Sequence, residues 1–185
     1  MQDEDDFEIE DIIQNLNKKK KIKSGKKGKS AERDIVKDLN ERFKSYFEQH
    51  PEIGSFSRSL GSGNRFGQNV ILSQAAKETF TGDLSVPTGF KFTIESKKGY
   101  NNIDLIDCFK QCKGLDNFLK QAQSDANRIK KYPMLIWRKD RKEKIAFIKK
   151  EILKDLPDDC YIVYKEWIGV NLKWLLKLND EFFFE

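Results

Sequence analysis

A single histidine, His50, stands among 185 residues, and that scarcity removes whole classes of chemistry. No HExxH zinc site can be written, nor any multi-histidine metal centre. A Ser-His-Asp or Cys-His triad would have to use His50. His50 closes a helical pattern in Glu-Gln-His-Pro, where a helix-end role suits it better. Cysteine is nearly as rare: Cys108, Cys112 and Cys160 give no paired framework. Cys108 and Cys112 lie one helical turn apart, a spacing that suits two buried thiols better than a zinc clamp. A reducing, cytoplasmic-type compartment is therefore expected. No apolar run approaches the ~20 residues of a membrane span. The first residues, MQDEDDFEIEDII, are acidic and lack the basic-then-apolar layout of a secretory signal. If chemistry occurs here, carboxylates and lysines must carry it.

Charge is plentiful. Charged residues make up 35% of the chain against 38% hydrophobic, and 35 basic against 30 acidic side chains leave a net +5. The distribution matters more than the sum. Residues 1–29 form a charge-segregated tail, expected to be disordered. It is acidic from Asp3 to Asp11 and basic in NKKKKIKSGKKGK. The basic block is either a solvated tail or an arm that follows a phosphate backbone through lysines such as Lys26, Lys27 and Lys29. Residues 30–185 have room for one domain, with a core over about 30–149 and an extension over 150–185.

From Ser30, a candidate N-cap, the apolar residues Ala31, Ile35, Val36, Leu39, Phe43, Tyr46 and Phe47 recur with helical spacing up to His50-Pro51. Glu32 lies on the edge of that face. SFSRSLGSGNRFGQ follows, rich in Gly, Ser and Arg, and is either an ordinary hairpin loop or a set of phosphate contacts. DLSV and FKFTIESK, separated by Pro-Thr-Gly, predict a β-hairpin. Helical spacing returns from Asp104 to Lys131, with Gly114 a possible break. PMLIWRK, KIAFIKK and YIVYKEW predict three strands, and NLKWLLKL a short helix. The order implies an α/β (α+β) domain with a mixed central sheet flanked by helices.

Within FTIESKKG, Glu95 and Lys97 are two apart, so they share a strand face about 6.5–7 Å from one another, while Phe92 and Ile94 take the other. A surface ion pair would account for them. Asp83 at the start of the hairpin and Glu32 on the preceding helix suggest more. Such hard oxygen ligands suit Mg²⁺, which keeps several waters and shares a phosphate. A lysine on the same face can position a water and offset charge developing on phosphorus.

The stretches GKSAERDIVKDL (28–39), SRSLGSG (57–63), GDLSV (82–86) and TIESKKG (93–99) resemble the PD-(D/E)XK nuclease superfamily. Within it they are similar to the archaeal-type Holliday junction resolvases and their phage relatives. KQAQSDANRIKKYPMLIWR (120–138) is a weaker match to the helix and strand that follow the core. The resemblance covers residues 28–149 and implies a restriction-endonuclease-like core. It implies that Asp83 and Glu95 bind a divalent metal, Mg²⁺ with Mn²⁺ able to substitute, helped by the backbone carbonyl of Ser96. Glu32 would act through water or a second metal, and Lys97 would position the attacking water. Ser57, Arg58 and Ser59 would contact DNA near the scissile bond, with Arg65 and Lys98 as further DNA contacts. Gln121 would face the site. Lys98 alternates to the other strand face and is not expected to be catalytic. A homodimer acting on branched DNA, a four-way junction above all, is implied, in the cytoplasm (the host's, if the chain is viral). A related nuclease of duplex, flap or single-stranded DNA, and a DNA-binding module without turnover, are the alternatives. Trp137, Trp167 and Trp174 suit either a dimer interface or the core. Two departures bear on substrate choice more than on the metal site. Gly82 stands where the superfamily motif has proline, and Asn64 to Thr81 is long.

Overall fold

The computed structural model describes residues 24–59, 81–104, 106, 109–158 and 160–185, with 24–27 described by backbone alone. Helix α1 spans Ser24–Arg42 and a short α2 spans Lys44–Gln49. They are separated at Phe43, whose backbone leaves the helical region. The helix thus begins before Ser30. Lysine is a good helix former, and the run KKGK adds turns that Gly25 and Gly28 weaken without breaking. Lys26, Lys27 and Lys29 therefore belong to its first turns, and Lys29 is exposed. Ala31, Ile35, Leu39 and Phe43, one turn apart, are all buried.

Strands β1 (Ser57–Arg58) and β2 (Leu84–Ser85) form a small antiparallel ribbon. The main sheet contains β3 (Phe92–Lys98), β4 (Tyr132–Arg138), β5 (Ile145–Lys149), β6 (Tyr161–Tyr164) and β7 (Trp167–Asn171), in the order β3-β4-β5-β7-β6. The β3–β4 pair is parallel and the remaining pairs are antiparallel, so the sheet is mixed. Helix α3 (Lys113–Ile129) makes the crossover that parallel neighbours require. The chain closes with α4 (Leu172–Leu175) and α5 (Asp180–Phe183). Among the described residues no helix is long and apolar enough to cross a membrane.

The sheet has a core on each face. Ile35 and Leu39 of α1, with Phe43 just beyond it, pack with Phe92, Ile94, Met134 and Ile136. Leu115, Phe118, Leu119 and Ala122 of α3 pack with Leu135, Trp137, Phe147 and Trp167 on the other face. Trp137 and Trp167 are thus core residues, and Trp174 is packed against the first cluster. Cys112 is buried, Cys160 is exposed, and Cys108 lies outside the described residues. The segment after Lys149 supplies β6, β7, Leu175 and Phe183 to this same body.

Residues 182–185 also close over the approach to β3. Phe90 bridges to Phe184, Lys91 N–H donates to Phe183 O at 2.8 Å, and Glu185 N–H donates to Gly89 O at 2.9 Å. The Phe183 and Phe184 rings lie edge-on to Phe43 at 5.1 and 5.2 Å.

Three expected elements form differently. The proposed hairpin is absent, because β2 pairs with β1 and not with β3. Pro87 has no N–H to give a ladder, and Thr88 N–H is taken by Ile53 O, so the chain peels away before returning at Phe92. The helix expected from Asp104 starts only at Lys113. Cys112 N–H donates to the Tyr164 hydroxyl there, and Ile103 packs so closely on Gly114 that a Cβ would lie 2.5 Å from its Cδ1. YIVYKEW is one whole strand, a turn and the start of the next. Lys165 takes a left-handed backbone (φ 55) and reverses the chain.

Candidate active site

Alternation along β3 does what the sequence indicates. Phe92 and Ile94 enter the α1-side core. Glu95 and Lys97 pair with Leu135 and Trp137 of β4, on the face that α3 covers. Glu95 is only 2% exposed. Lys97 Nζ donates to Glu95 Oε1 and, at 3.0 Å, to Gln121 Oε1 of α3. The predicted helix residue Gln121 therefore reaches the site by touching the lysine.

Asp83 reaches Glu95 from the ribbon. Its N–H donates to Ile94 O at 3.0 Å, its carbonyl accepts from Ser59 N–H at 3.2 Å, and its Oδ2 accepts from Ser96 N–H at 2.9 Å. These bonds pin the carboxylate just ahead of a two-residue strand to the central sheet. The two acids lie close enough to act on one another electrostatically. Burial pushes the Asp83 carboxyl above its ordinary range. Burial, followed by repulsion from Asp83, pushes Glu95 up to about 8.

Gly82 explains one departure from the motif. Its φ is +90, which proline cannot adopt. A Cβ there would stand 2.9 Å from Ile94 O, the acceptor of the Asp83 N–H. Gly82→Ala should therefore destabilise the fold by about 1–3 kcal/mol and reduce turnover more than stability alone explains, since Asp83 is the next residue. Urea unfolding beside a cleavage assay checks both. An unchanged unfolding midpoint would show that the backbone is not constrained as described.

Glu32 is buried on α1, and its Oε2 accepts from Arg58 Nε at 2.7 Å. It lies close enough to raise Asp83, but its hydrogen bond is to the arginine. Among the described residues no three His, Cys, Asp or Glu side chains form a ready-made metal cage. The convergent oxygens are those of the Asp83–Glu95 pair.

Of the other predicted contacts, Ser57 is exposed and Arg58 half-buried in β1. Ser59 is buried, and its hydroxyl has no hydrogen-bond partner among the described residues. Lys98 is half-buried on the strand face opposite Lys97. Arg65 and the Gly/Ser loop beyond Ser59 lie outside the described residues, as do the side chains of Lys26 and Lys27.

Asp125 was missed by sequence reasoning. It lies one turn beyond Gln121 on α3, only 17% exposed, and its charge acts on Glu95. Burial pushes its own carboxyl up, and Lys97 is among the cations that draw it back. The i, i+4 relation to Gln121 was the available signal.

A comparison with protein families finds that residues 23–179 match the family described as "Phage putative PDDEXK endonuclease". No curated protein and no solved structure matches.

Proposed function

Because the chain belongs to this PDDEXK endonuclease family, we propose that it is a divalent-metal-dependent DNA endonuclease. It acts on branched DNA, with the four-way junction as the preferred substrate. The observation that supports this reading best is the meeting of Asp83, Glu95 and Lys97 at one end of β3. The donor set is all oxygen, without histidine or thiolate, and suits Mg²⁺ or Mn²⁺. The rise of Glu95 marks a buried excess of negative charge that a cation would relieve. Asp83 and Glu95 would hold that ion, with the Ser96 carbonyl beside them, and Glu32 would reach it through water. When bound, it supplies Lewis-acid stabilisation of phosphoryl oxygens and a more acidic water.

The chain's own residues supply position. Lys97 has three N–H donors, and Glu95 and Gln121 engage two. The third is left to orient the attacking water or a phosphoryl oxygen. Arg58, anchored by Glu32, would offer a cation to the scissile strand. Ser57 and Ser59 flank it on β1, with Lys98 and the lysines of α1 as backbone contacts. Hydrolysis adds water across one P–O bond: the water oxygen bonds to phosphorus while the bridging oxygen leaves with a proton. Symmetric cutting of a junction needs two such sites, which a two-fold homodimer provides.

The test is cleavage of a labelled four-way junction beside a linear duplex of the same sequence, with and without Mg²⁺. Metal-dependent cutting of the junction alone is expected. If neither DNA is cut with Mg²⁺ or Mn²⁺, the enzymatic reading fails. A cut duplex beside an intact junction overturns the junction preference only.

A further inference from the structure

Immediately beyond Lys97 the chain makes an unusual turn. Gly99 has φ +85, and Tyr100 follows in the left-handed region at φ 54, where a bulky side chain is rarely found. The turn is well anchored. Gly99 N–H donates to Arg138 O at 2.9 Å, Gly99 O accepts from Trp137 Nε1, and Tyr100 O accepts from Ile103 N–H. The strain holds one ring in place. Tyr100 is half exposed and lies edge-on to Phe118 of α3 at 4.7 Å. Phe118 in turn lies 5.7 Å beneath Lys97 Nζ. A line of contacts therefore runs from Glu95 through Lys97 and Phe118 to Tyr100.

Tyr100 and Phe118 open onto a cleft of about 560 Å³, also lined by Asn102, Lys110, Gln111 and Lys113. Among the described residues its lining holds two lysines and no acid. Phe109, next to Lys110 in sequence, is 94% exposed. Aromatic faces interleaved with lysines and amides are the chemistry of single-stranded nucleic acid. Bases stack on rings, ammonium groups take phosphates, and amides meet base edges. Five residues of extended chain separate Glu95 from Tyr100, at most about 17 Å, so the cleft lies a few nucleotides from the bond to be cut.

The geometry points to this cleft as a subsite for an unpaired base a few nucleotides from the scissile phosphate, with Tyr100 as its stacking platform. The inference rests on the proposed nuclease reading and deepens it: the cleft takes a nucleotide that becomes unpaired where the arms of a branched DNA part, on one side of the cleavage point. Paired and stacked bases offer no free face to the ring, so a continuous duplex leaves the cleft unused.

The experiment measures binding in EDTA, where no cutting occurs. The probes are a fluorescein-labelled thymidine oligonucleotide and a fully paired hairpin duplex. The full chain is compared with Tyr100→Asn, which tolerates the left-handed backbone but lacks the ring, and with Tyr100→Phe, which keeps it. Tyr100→Asn should bind the single strand about 10- to 100-fold more weakly, with duplex affinity nearly unchanged. Tyr100→Phe should bind both probes as the native chain does. The subsite is overturned if Tyr100→Asn binds the single strand as well as the native chain, or if both probes weaken equally. It is also overturned if Tyr100→Phe loses as much as Tyr100→Asn. Because this readout needs no metal, failed cleavage by the native chain would sink the enzymatic reading without touching it.

Discussion

In Lys97→Ala, DNA cleavage should slow by about 10²–10⁴-fold, while binding of the same DNA in EDTA changes little. The side chain is mostly buried between Glu95 and Gln121, so its charge adds little to the field that attracts a phosphate backbone. Its role is local, in the donor left over after those two bonds. The neighbouring lysine is the control. Lys98 has the same charge one residue further on but emerges on the opposite strand face, so Lys98→Ala should keep turnover and lose only some affinity. A single-turnover assay on labelled DNA, with a binding isotherm beside it, reads both quantities. If Lys97→Ala cuts as fast as the native chain, Lys97 has no part in the chemistry. If Lys98→Ala is equally dead, the two-face argument fails.

Glu95→Gln should abolish cutting and make the metal-free protein more stable at pH 8. The sign follows from the direction of the shift. The Glu95 carboxyl titrates near 4.5 ordinarily and at about 8 in the fold. Below 4.5 both folded and unfolded chains hold the proton, and the native state keeps its full stability from this group. Between 4.5 and 8 only the folded chain holds it, so stability drains at up to about 1.4 kcal/mol per pH unit. Above 8 the loss is complete. Asp83, raised as well, pulls in the same direction. Glutamine keeps the shape and a carbonyl acceptor for Lys97 but has no proton to lose. The variant's melting temperature should exceed the native one by several degrees at pH 8–9 and approach it near pH 5. Thermal melts in EDTA across that range check this. A variant less stable at every pH would show that the Glu95–Lys97 ion pair outweighs the burial of the carboxylate.

The placement of Glu95 and Lys97 on one strand face was legible because it rides on local periodicity. Alternation in FTIESK settles which side chains share a face, and α1 shows its buried stripe through Ala31, Ile35 and Leu39, continued by Phe43. The partners of that strand were not legible. DLSV followed by a turn and FKFTIESK reads as a hairpin, but β2 takes β1, more than twenty residues earlier in the chain, as its partner. That choice depends on Thr88 and Ile53, far apart in sequence. The 104–112 stretch has helical spacing, yet Ile106 and Phe109 are exposed rather than on a buried stripe, and the helix waits for Lys113. Asp125 and Tyr100 escaped notice for another reason. An acid on a helix and a tyrosine after a glycine are ordinary in sequence, and only the packing of α3 over β3 brings Asp125 near Lys97 and Phe118 between Lys97 and Tyr100.

The bonds between residues 182–185 and Gly89–Lys91 set an order of events during synthesis. The ribosome makes Glu95 and Lys97 early, but the aromatic seal over the start of their strand arrives roughly ninety residues later, several seconds at ordinary rates of elongation. Two strands of the central sheet, β7 and β6, also come late. A nascent chain thus carries the acids and the lysine of the site without the scaffold that aims them.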